Sequence, residues 1–396
     1  MYRRFNIRII PTLEQEILFR KSCGVARWAY NFFLSEMHGK YEAWQNNKEE
    51  KKSTDSFKVL RYINNTLKKS EEFSWLKEVS GNVIKVAVKD AYKAYLRFFK
   101  GITGYPKFKK KGKSKDSFYV NGEAKRFYKT NDGFKGEKLG HVKLAHPLPS
   151  IPKNQIYSNP RIFWNGSYWV LSVGIKIEPK EKSKLNNFSL GIDLGVKKLA
   201  VCSNGMVFDN INKTHRIKLL EKRLNRAQRK LSRKVEGKIL KRETENGKNQ
   251  IIFKKPLSEY SNIQRQKRII RRIYKHLFDI RTNYIHQTTR SIVKTKPCRI
   301  VMEDLGIMGL TKNKKMSKSI KDQKWYEFKT QIKYKCEEYG IAFVEADRFF
   351  PSTKMCSNCG SVKRTISLRE RVYYCEDCKM KMDRDLNASI NLANYK

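Results

Sequence analysis

Four cysteines near the end of the chain constrain its folding more than any other feature. Cys356 and Cys359 form one C-x2-C pair, Cys375 and Cys378 form a second, and fifteen residues separate the two pairs. Two thiolate pairs on turns suit tetrahedral coordination of Zn²⁺, and four sulfur ligands leave no open position for a substrate. The spacing therefore predicts one structural zinc ion in a small ribbon over residues 351–379.

The balance of charges indicates the class of partner. The 396 residues include 86 Lys and Arg against 38 Asp and Glu, a formal net charge of +48. A compact protein with this charge repels itself unless a polyanion lies beside it, and the commonest polyanion is the backbone of a nucleic acid. A membrane partner is not expected, because the sequence shows no basic amphipathic terminus, lipidation signal, signal peptide or apolar run of about 18 residues. We expect a cytoplasmic protein.

The first half of the chain changes from helical to alternating patterns. Arg3 to Ile10 alternates as a strand, and a capping box after Pro11 opens a helix. Helical periodicity continues to about Lys100 and predicts a small bundle. Residues 100–115 carry seven lysines and several glycines, which predicts a solvated loop that contacts a phosphate backbone. Short alternating runs over residues 117–178 predict a β-barrel or sandwich, which the first strand could join. The predicted strands are Phe118 to Val120, His141 to Leu144, Ile156-Tyr157, Arg161 to Trp164 and Tyr168 to Ile177.

The second half follows a polar linker, Glu178 to Asn187, and mixes strands with long helices. Three short strands with tight turns come first. Two helical stretches follow, Arg216 to Arg242 and Ser258 to Thr295, and the first carries twelve basic residues against two acidic ones. That imbalance exceeds what solubility requires and favours a phosphate-facing helix. A strand, a helix, a second strand and a final helix complete a multidomain α/β pattern. The first of these helices has one apolar face, formed by Trp325, Phe328, Ile332, Cys336 and Tyr339.

Three carboxylates stand where strands or helices begin or end. Asp193 lies in Gly-Ile-Asp-Leu-Gly, Glu303 follows a buried strand, and Asp385 opens the last helix. Hard divalent cations take oxygen ligands, and hydrolysis of a phosphodiester by two Mg²⁺ ions needs ligands for a pair of ions about 4 Å apart. The three carboxylates are therefore candidate ligands of two catalytic magnesium ions.

Each carboxylate alone also has a simpler interpretation. Asp193 could be a turn residue. Glu303 competes with Asp304, and Asp385 competes with Asp383 and could serve only as a helix cap. The segment around Asp193 is also how the first phosphate loop of actin-like ATPases begins. Here a valine and two lysines follow in place of the Thr or Ser residues that meet a nucleotide, and no convincing second phosphate loop is present.

Several segments resemble motifs of a single protein family. Those in the second half are Gly191-Ile-Asp-Leu-Gly195, Met302-Glu-Asp-Leu305, Phe350 to Gly360, Tyr374 to Cys378 and Asp383 to Ala388. Together they resemble the TnpB family of transposon-encoded RNA-guided nucleases, which is related to type V CRISPR effectors. Similar segments in the first half are Ile10-Pro-Thr, Tyr30-Asn31 and Gly104 to Phe108, so the resemblance covers nearly the whole chain.

The resemblance implies a domain organisation. It implies an RNase H-like RuvC nuclease domain over residues 186–350 and 380–396, with the zinc ribbon of residues 351–379 inserted into it. A β-barrel wedge domain over residues 1–11 and 101–180 would precede it and carry a helical recognition insertion over residues 12–100.

The resemblance also implies the site, the cofactors and the partners. Asp193, Glu303 and Asp385 become the metal-binding triad, in preference to Asp304 and Asp383. Two Mg²⁺ ions would serve catalysis and one Zn²⁺ ion would be structural. The partners would be a guide RNA from the transposon end, with one chain per guide RNA, and a target double-stranded DNA in a prokaryotic nucleoid.

The function implied is RNA-guided cleavage of double-stranded DNA next to a short flanking motif, and two alternatives are weighed against it. Non-cutting RNA-guided repressors of the same family typically lose members of the triad, whereas all three carboxylates are present here. A strand-transfer transposase shares the RNase H-like fold and would have to join transposon ends. The six histidines show no clustered HNH pattern, so we expect one site to cut both strands in turn.

Overall fold

The computed structural model describes residues 2–48, 55–152, 155–176, 184–245, 248–306, 314–367 and 370–396. Two compact units make up the chain, residues 1–178 and residues 179–396. The linker expected over residues 178–187 lies partly outside the described residues. No helix among the described residues has both the length and the apolar character needed to span a lipid bilayer.

The helices of the first unit follow the periodicity of the sequence. The capping box is present, because the Thr12 hydroxyl accepts from the Gln15 backbone N–H and the Gln15 side chain accepts from the Thr12 backbone N–H, each at 3.2 Å. Phe19, Phe33 and Tyr95 are fully buried in the core beneath the helices. The helices are α1 (Leu13–Asn46), α2 (Ser56–Asn65) and α3 (Gly81–Phe99).

A seven-stranded antiparallel sheet completes the first unit. Its strands are β1 (Tyr2–Ile10), β2 (Ser117–Tyr119), β3 (Phe127–Lys129), β4 (Gly133–Gly136), β5 (Gly140–Leu144), β6 (Ser158–Trp164) and β7 (Trp169–Lys176). The order is β2-β6-β7-β1-β5-β4-β3, so the first strand joins this sheet as predicted. The sheet ends at β2 and β3, and the hydrogen bonding among the described strands is that of an open sheet rather than of a fully closed barrel.

Sequence patterns missed β3 and β4 and wrongly placed a strand at Ile156 and Tyr157. The two missed strands have three and four residues, which is too short for a pattern of alternation to emerge. Ile156 and Tyr157 lie in irregular backbone, where the buried Tyr157 hydroxyl donates to the Pro149 carbonyl at 2.7 Å.

A five-stranded mixed sheet forms the centre of the second unit. Its strands are β8 (Asn186–Leu194), β9 (Lys198–Cys202), β10 (Val207–Asp209), β13 (Pro297–Glu303) and β14 (Ala342–Ala346), in the order β10-β9-β8-β13-β14. The strand β8 is antiparallel to β9 and parallel to β13, and β13 is parallel to β14. Parallel neighbours need long crossovers, and here helices supply them.

Two long helices, α4 (His215–Glu236) and α5 (Ser261–Lys294), pack through an apolar seam that includes Leu224, Ala227 and Leu277. A hairpin of β11 (Ile239–Glu245) and β12 (Lys248–Phe253) lies between them in the sequence. The predicted helix to Arg242 is therefore too long. Gly237 ends α4, since a glycine costs a helix about 1 kcal/mol, and the chain continues as a strand.

The remaining elements lead to the end of the chain. They are α6 (Lys314–Gln323), α7 (Trp325–Tyr339), the paired strands β15 (Val372–Tyr374) and β16 (Lys381–Asp383), and α8 (Arg384–Ala393). The predicted apolar face of α7 is buried, and β16 continues directly into α8.

Candidate active site and zinc centre

Asp193 and Glu303 lie at the same edge of the central sheet of the second unit. The strands β8 and β13 are parallel neighbours in which Ile192 is in register with Met302. Asp193 directly follows Ile192 on β8, and Glu303 directly follows Met302 on β13. Neighbouring strands lie about 4.8 Å apart, and residues in register point to the same face of a sheet. The backbone therefore places these two side chains side by side.

A close approach between β8 and α8 brings the third carboxylate to this edge. A Cβ atom on Gly191 would lie 1.9 Å from the Ser389 carbonyl oxygen and 2.5 Å from the Ala393 nitrogen, so the helix backbone rests directly on the strand. Asp193 is two residues from Gly191 on the strand, about 6.6 Å along the same face. Asp385 is four residues from Ser389, about 6 Å along the same helix face. Because both residues lie about the same distance from the contact between Gly191 and Ser389, Asp385 comes close to Asp193.

The electrostatics of the edge reflect this convergence. Burial raises the pKa of Asp193 from 3.8 to about 7, and the carboxylates of Asp385 and then Glu303 add to the effect. Burial, followed by the charge of Asp304, raises the pKa of Glu303 above its usual value. Together with the Asp385 carboxylate, these two carboxyl groups of raised pKa form a set of oxygen donors that a divalent cation would stabilise. The residues therefore fit magnesium.

The two competing acids have other partners. Asp304 accepts a hydrogen bond from Arg348 at 2.7 Å, and this bond lowers the pKa of Asp304. Asp383 caps α8 by accepting from the backbone N–H groups of Asp385 and Leu386 at 2.9 and 3.1 Å. The capping role considered for Asp385 is therefore taken by its neighbour Asp383.

The carboxylates are spaced more widely than the ligands of a single ion. In the described part of the chain, the four cysteines are the one group of three or more His, Cys, Asp or Glu side chains whose ligand atoms all lie within 4.8 Å of one another. Two ions about 4 Å apart would each take a different subset of the carboxylates. The wider spacing of the three carboxylates is therefore compatible with a pair of metal ions.

Arg384 belongs to this site although the sequence patterns did not single it out. Its guanidinium lies 3.4 Å from the Asp385 carboxylate and donates to the Ser367 carbonyl at 3.3 Å. Its charge opposes the rise in the pKa of Asp193. The only signal in the sequence is a basic residue between two acids, which by itself is common on protein surfaces.

The four predicted zinc ligands come together. The Sγ atoms of Cys356 and Cys378 are 3.5 Å apart, those of Cys359 and Cys375 are 3.6 Å apart, and all four lie within 4.8 Å of one another. Tetrahedral Zn–S bonds of about 2.3 Å require sulfur separations of about 3.8 Å, whereas a disulfide needs about 2.05 Å. The four sulfur atoms are therefore spaced as in a zinc site, and none of the four cysteines forms a disulfide.

The thiols do not ionise equally without a metal. A hydrogen bond from Asn358, assisted by the Met380 backbone N–H, lowers the pKa of Cys378 to about 6. The Ser361 backbone N–H favours the thiolate of Cys359, but desolvation and the neighbouring thiols outweigh it and raise the pKa of Cys359 to about 12. Zinc binding requires thiolates, so a cation would release the protons that this crowding retains.

The lysine-rich loop of the first unit is held in place rather than free in solvent. The Asn31 side chain forms two hydrogen bonds with the backbone of Lys109, donating to its carbonyl at 2.9 Å and accepting from its N–H at 2.8 Å. The Tyr105 hydroxyl lies 2.8 Å from that of Tyr95. The Lys109 ammonium lies 3.6 Å from the centre of the Tyr30 ring, and desolvation lowers the pKa of Lys109.

Other lysines of this segment face solvent. Residues 100–116 form neither helix nor strand, as predicted, and the exposed lysines are 100, 107, 110, 111, 113 and 115. The contacts with Asn31 and Tyr95 fix the backbone of the segment, so these ammonium groups are presented from a defined surface.

The helix α4 presents a basic face to solvent. Lys222, Arg226, Arg229 and Arg233 recur every three or four residues, and all are exposed on the side opposite the buried seam. The rise of about 1.5 Å per residue spaces them about 4.5 to 6 Å apart. That spacing suits contact with successive phosphates of a nucleic-acid strand.

Known proteins resemble the chain along nearly its full length. A "Putative RNA-guided DNA endonuclease" from Streptomyces pristinaespiralis is 28% identical over 395 residues, which cover 98% of this chain and 88% of the relative. The "Putative RNA-guided DNA endonuclease InsQ" of Escherichia coli (strain K12) is 26% identical over 403 residues, with coverages of 98% and 90%. The sequence similarity to both relatives therefore extends over both units of the chain.

Family patterns agree with these relatives. The OrfB family of IS605, described as "Probable transposase", matches residues 172–314, and its "Helix-turn-helix domain" matches residues 1–48. A "Cas12f1-like, TNB domain" matches residues 325–392. Together these matches show that the chain is similar to the TnpB family. The resemblance seen in the motifs is thereby confirmed.

The fold of the chain also resembles a solved structure. The protein in the cryo-EM structure of a Cas12f1-sgRNA-target DNA complex aligns with a TM-score of 0.57, at 13% identity, over 100% of this chain and 99% of that one. The mixed α/β architecture is thus shared. Residues 2–46 form one strand and one long helix, so the segment matched as helix-turn-helix contains no turn between two helices.

Proposed function

We propose that this chain is an RNA-guided DNA endonuclease that cuts double-stranded DNA next to a short flanking motif, at a single RuvC site. The convergence of Asp193, Glu303 and Asp385 at one edge of the central sheet carries the proposal, because their mutual repulsion contributes to the raised pKa of Asp193. Two relatives along nearly the whole chain are named as RNA-guided DNA endonucleases, which supports the choice of substrate.

The strand arrangement supports an RNase H-like fold for this domain. An antiparallel run of β10, β9 and β8 is followed by the parallel strands β13 and β14, and α8 packs against β8. The carboxyl edge of a sheet with parallel strands is where α/β proteins commonly place their ligands. The first two acids come from this edge, and the third comes from the first turn of α8.

Bound Mg²⁺ ions would activate the attacking water and neutralise charge on the departing oxygen. Within the chain, Asp193 is the central ligand because its pKa responds to both other carboxylates. Glu303 and Asp385 complete the oxygen donors. Arg384 offsets part of the negative charge beside Asp385 at 3.4 Å. In this mechanism the three carboxylates would hold the metal ions at the edge of the sheet, and the ions would supply the activated water.

The remaining features support the proposed partners. The four-cysteine cluster would hold one structural Zn²⁺ in a ribbon whose intervening segment carries Tyr373, Tyr374 and basic residues suited to single strands. The basic face of α4 and the lysine segment of residues 100–116 suit the backbones of a guide RNA and of its heteroduplex with DNA. Base pairing would supply the sequence specificity.

A cleavage assay with the guide complex tests this function. The chain is purified with the RNA from its native locus, and matched double-stranded DNA is added in Mg²⁺. We expect cleavage of both strands that follows changes in the guide, and Asp193→Ala should reduce it at least 1,000-fold while guide-RNA binding stays within twofold. Binding without cleavage by the wild type would indicate a repressor, and joining of transposon ends would indicate a transposase.

A further inference from the structure

The helix that carries Asp385 also contains two buried asparagines. Asn387 and Asn391 are 0% and 1% exposed, and they lie four residues apart on one face of α8. A buried amide costs free energy unless its donors and acceptors are paired, so its partners define what it does. Here the partners all lie in the segment that leads into the first zinc-binding turn.

Asn387 bonds to both neighbours of Cys356. Its Oδ1 accepts from the Ser357 backbone N–H at 2.9 Å, and its Nδ2 donates to the Met355 carbonyl at 2.7 Å. One side chain thus holds the peptide groups on either side of a cysteine that is itself 1% exposed. The position of this zinc-ligand candidate is therefore defined by the helix.

Asn391 adds a second connection one turn further along the helix. Its Nδ2 donates to the Met355 carbonyl at 2.6 Å and to the Ser352 carbonyl at 2.7 Å. The Met355 carbonyl consequently accepts from both asparagines. A third connection is covalent, because β16 of the ribbon hairpin runs directly into α8 at Arg384. The cysteine turn and the helix are therefore connected at both ends of the ribbon.

The same helix is seated on the catalytic strand. The Ser389 and Ala393 backbone lies so close to β8 that only a glycine fits at position 191. A shift of the cysteine turn would be transmitted through the asparagines to a helix that has no free space at its other contact. The Asp385 carboxylate is carried on the first turn of that helix.

We propose that Asn387 and Asn391 are positioning residues that couple the zinc centre to the magnesium site. They hold α8 against the cysteine turn and so fix Asp385 relative to Asp193 and Glu303. The inference rests on the proposed function for its catalytic consequence, but not for the coupling itself. Groups that orient metal ligands in this way typically change metal affinity 10- to 100-fold when they are removed.

The test measures divalent-metal binding directly in the full chain. Mn²⁺ is titrated into the zinc-loaded protein and free Mn²⁺ is followed by electron paramagnetic resonance, with Asp193→Ala identifying the signal of the carboxylate site. Removing zinc with the chelator TPEN should weaken Mn²⁺ binding 10- to 100-fold in the wild type. Asn387→Leu should weaken it to a similar extent with zinc still bound, and zinc removal should then change it less than threefold.

Asn394→Leu is the matched control, because Asn394 is the exposed C-cap residue of the same helix and its substitution should leave Mn²⁺ binding within twofold. Asn391→Asp, which keeps the shape but loses the donor, gives a second measurement where Asn387→Leu does not fold. Zinc content by atomic absorption reports whether each variant retains the ribbon. Mn²⁺ binding within twofold of wild type in zinc-loaded Asn387→Leu or Asn391→Asp would overturn the proposal.

The test of the coupling and the test of the proposed nuclease function can fail independently. A wild-type chain that shows the zinc-dependent Mn²⁺ affinity but cuts no DNA would contradict the nuclease assignment and support the coupling. A chain that cuts guided DNA equally well in the asparagine variants, with an unchanged Mg²⁺ concentration at half-maximal rate, would support the nuclease and contradict the coupling.

Discussion

A single methyl group at Gly191 should separate the two elements that carry Asp193 and Asp385. In Gly191→Ala the new Cβ would lie 1.9 Å from the Ser389 carbonyl oxygen and 2.5 Å from the Ala393 nitrogen. Both are backbone atoms of α8, so no side-chain rotation can relieve the contact. The helix must instead move away from β8.

The distance that the helix must move determines how much stability and cleavage rate Gly191→Ala should lose. An ordinary contact begins at 3.4 Å, so the carbonyl oxygen must retreat by about 1.5 Å from its 1.9 Å position. Overpacking of this kind costs typically 1 to 3 kcal/mol. At about 3 kcal/mol, a unit of the size of residues 179–396 should lose about 6 to 12 °C in Tm. A displacement of about 1 Å at a catalytic group can reduce the rate about 100-fold.

Thermal unfolding and guided DNA cleavage measure the two effects. The control is Gly237→Ala at the end of α4, where the new Cβ would lie 3.8 Å from its nearest neighbour, the Arg233 carbonyl oxygen. The control should retain its Tm and activity, and both variants should bind guide RNA as the wild type does. If Gly191→Ala unfolds within 2 °C of wild type and cuts within threefold of its rate, the contact between strand and helix does not position Asp385.

Two further predictions concern the charge of the sheet edge and the lysine segment. Without added divalent metal, folded Asp193 keeps its proton to about pH 7, whereas in the unfolded chain it loses the proton near 3.8. Stability should therefore fall as pH rises from about 4 to 7, by at most about 4 kcal/mol. Asp193→Asn should flatten the profile of Tm against pH, and Mg²⁺ should restore wild-type stability at pH 8; an equally steep profile in the variant would contradict the assignment. In the first unit, Asn31→Leu removes both hydrogen bonds to the Lys109 backbone. We expect guide-RNA affinity to fall by up to about 2 kcal/mol while the slope of log Kd against log salt is unchanged. Lys110→Ala should lower that slope instead, and equal slopes in the two variants would count against a pre-ordered segment.

Features with short-range causes could be predicted from the sequence. The capping box joins residues three apart, and both hydrogen bonds form. The C-x2-C pairs each bring two thiols into one turn, and the chemistry of sulfur leaves few alternatives to zinc once two such pairs are present. The two long helices and the buried face of α7 followed from hydrophobic periodicity. The resemblance in the motifs was enough to assign the family.

The residues alone left both members of each acidic pair open and the family resemblance favoured Glu303 and Asp385, whereas the tertiary structure supplies a physical reason for that choice. Glu303 and Asp304 are adjacent in the sequence, and only the register of β13 with β8 and the ion pair of Asp304 with Arg348 distinguish them. Asp383 and Asp385 differ because Asp383 caps the helix. The roles of Asn31, Asn387 and Asn391 were equally hidden, because the backbone groups that they bind lie between 30 and 78 residues away in the sequence.

One physical cause separates the features that the sequence predicts from those that only the tertiary structure reveals. Periodicity, capping and cysteine spacing are set by bonds within a few residues, so the order of amino acids specified the helices, most of the strands and the four-cysteine cluster of this chain. The catalytic geometry depends on how closely α8 can approach β8 at Gly191, a distance that arises only when segments almost 200 residues apart pack together.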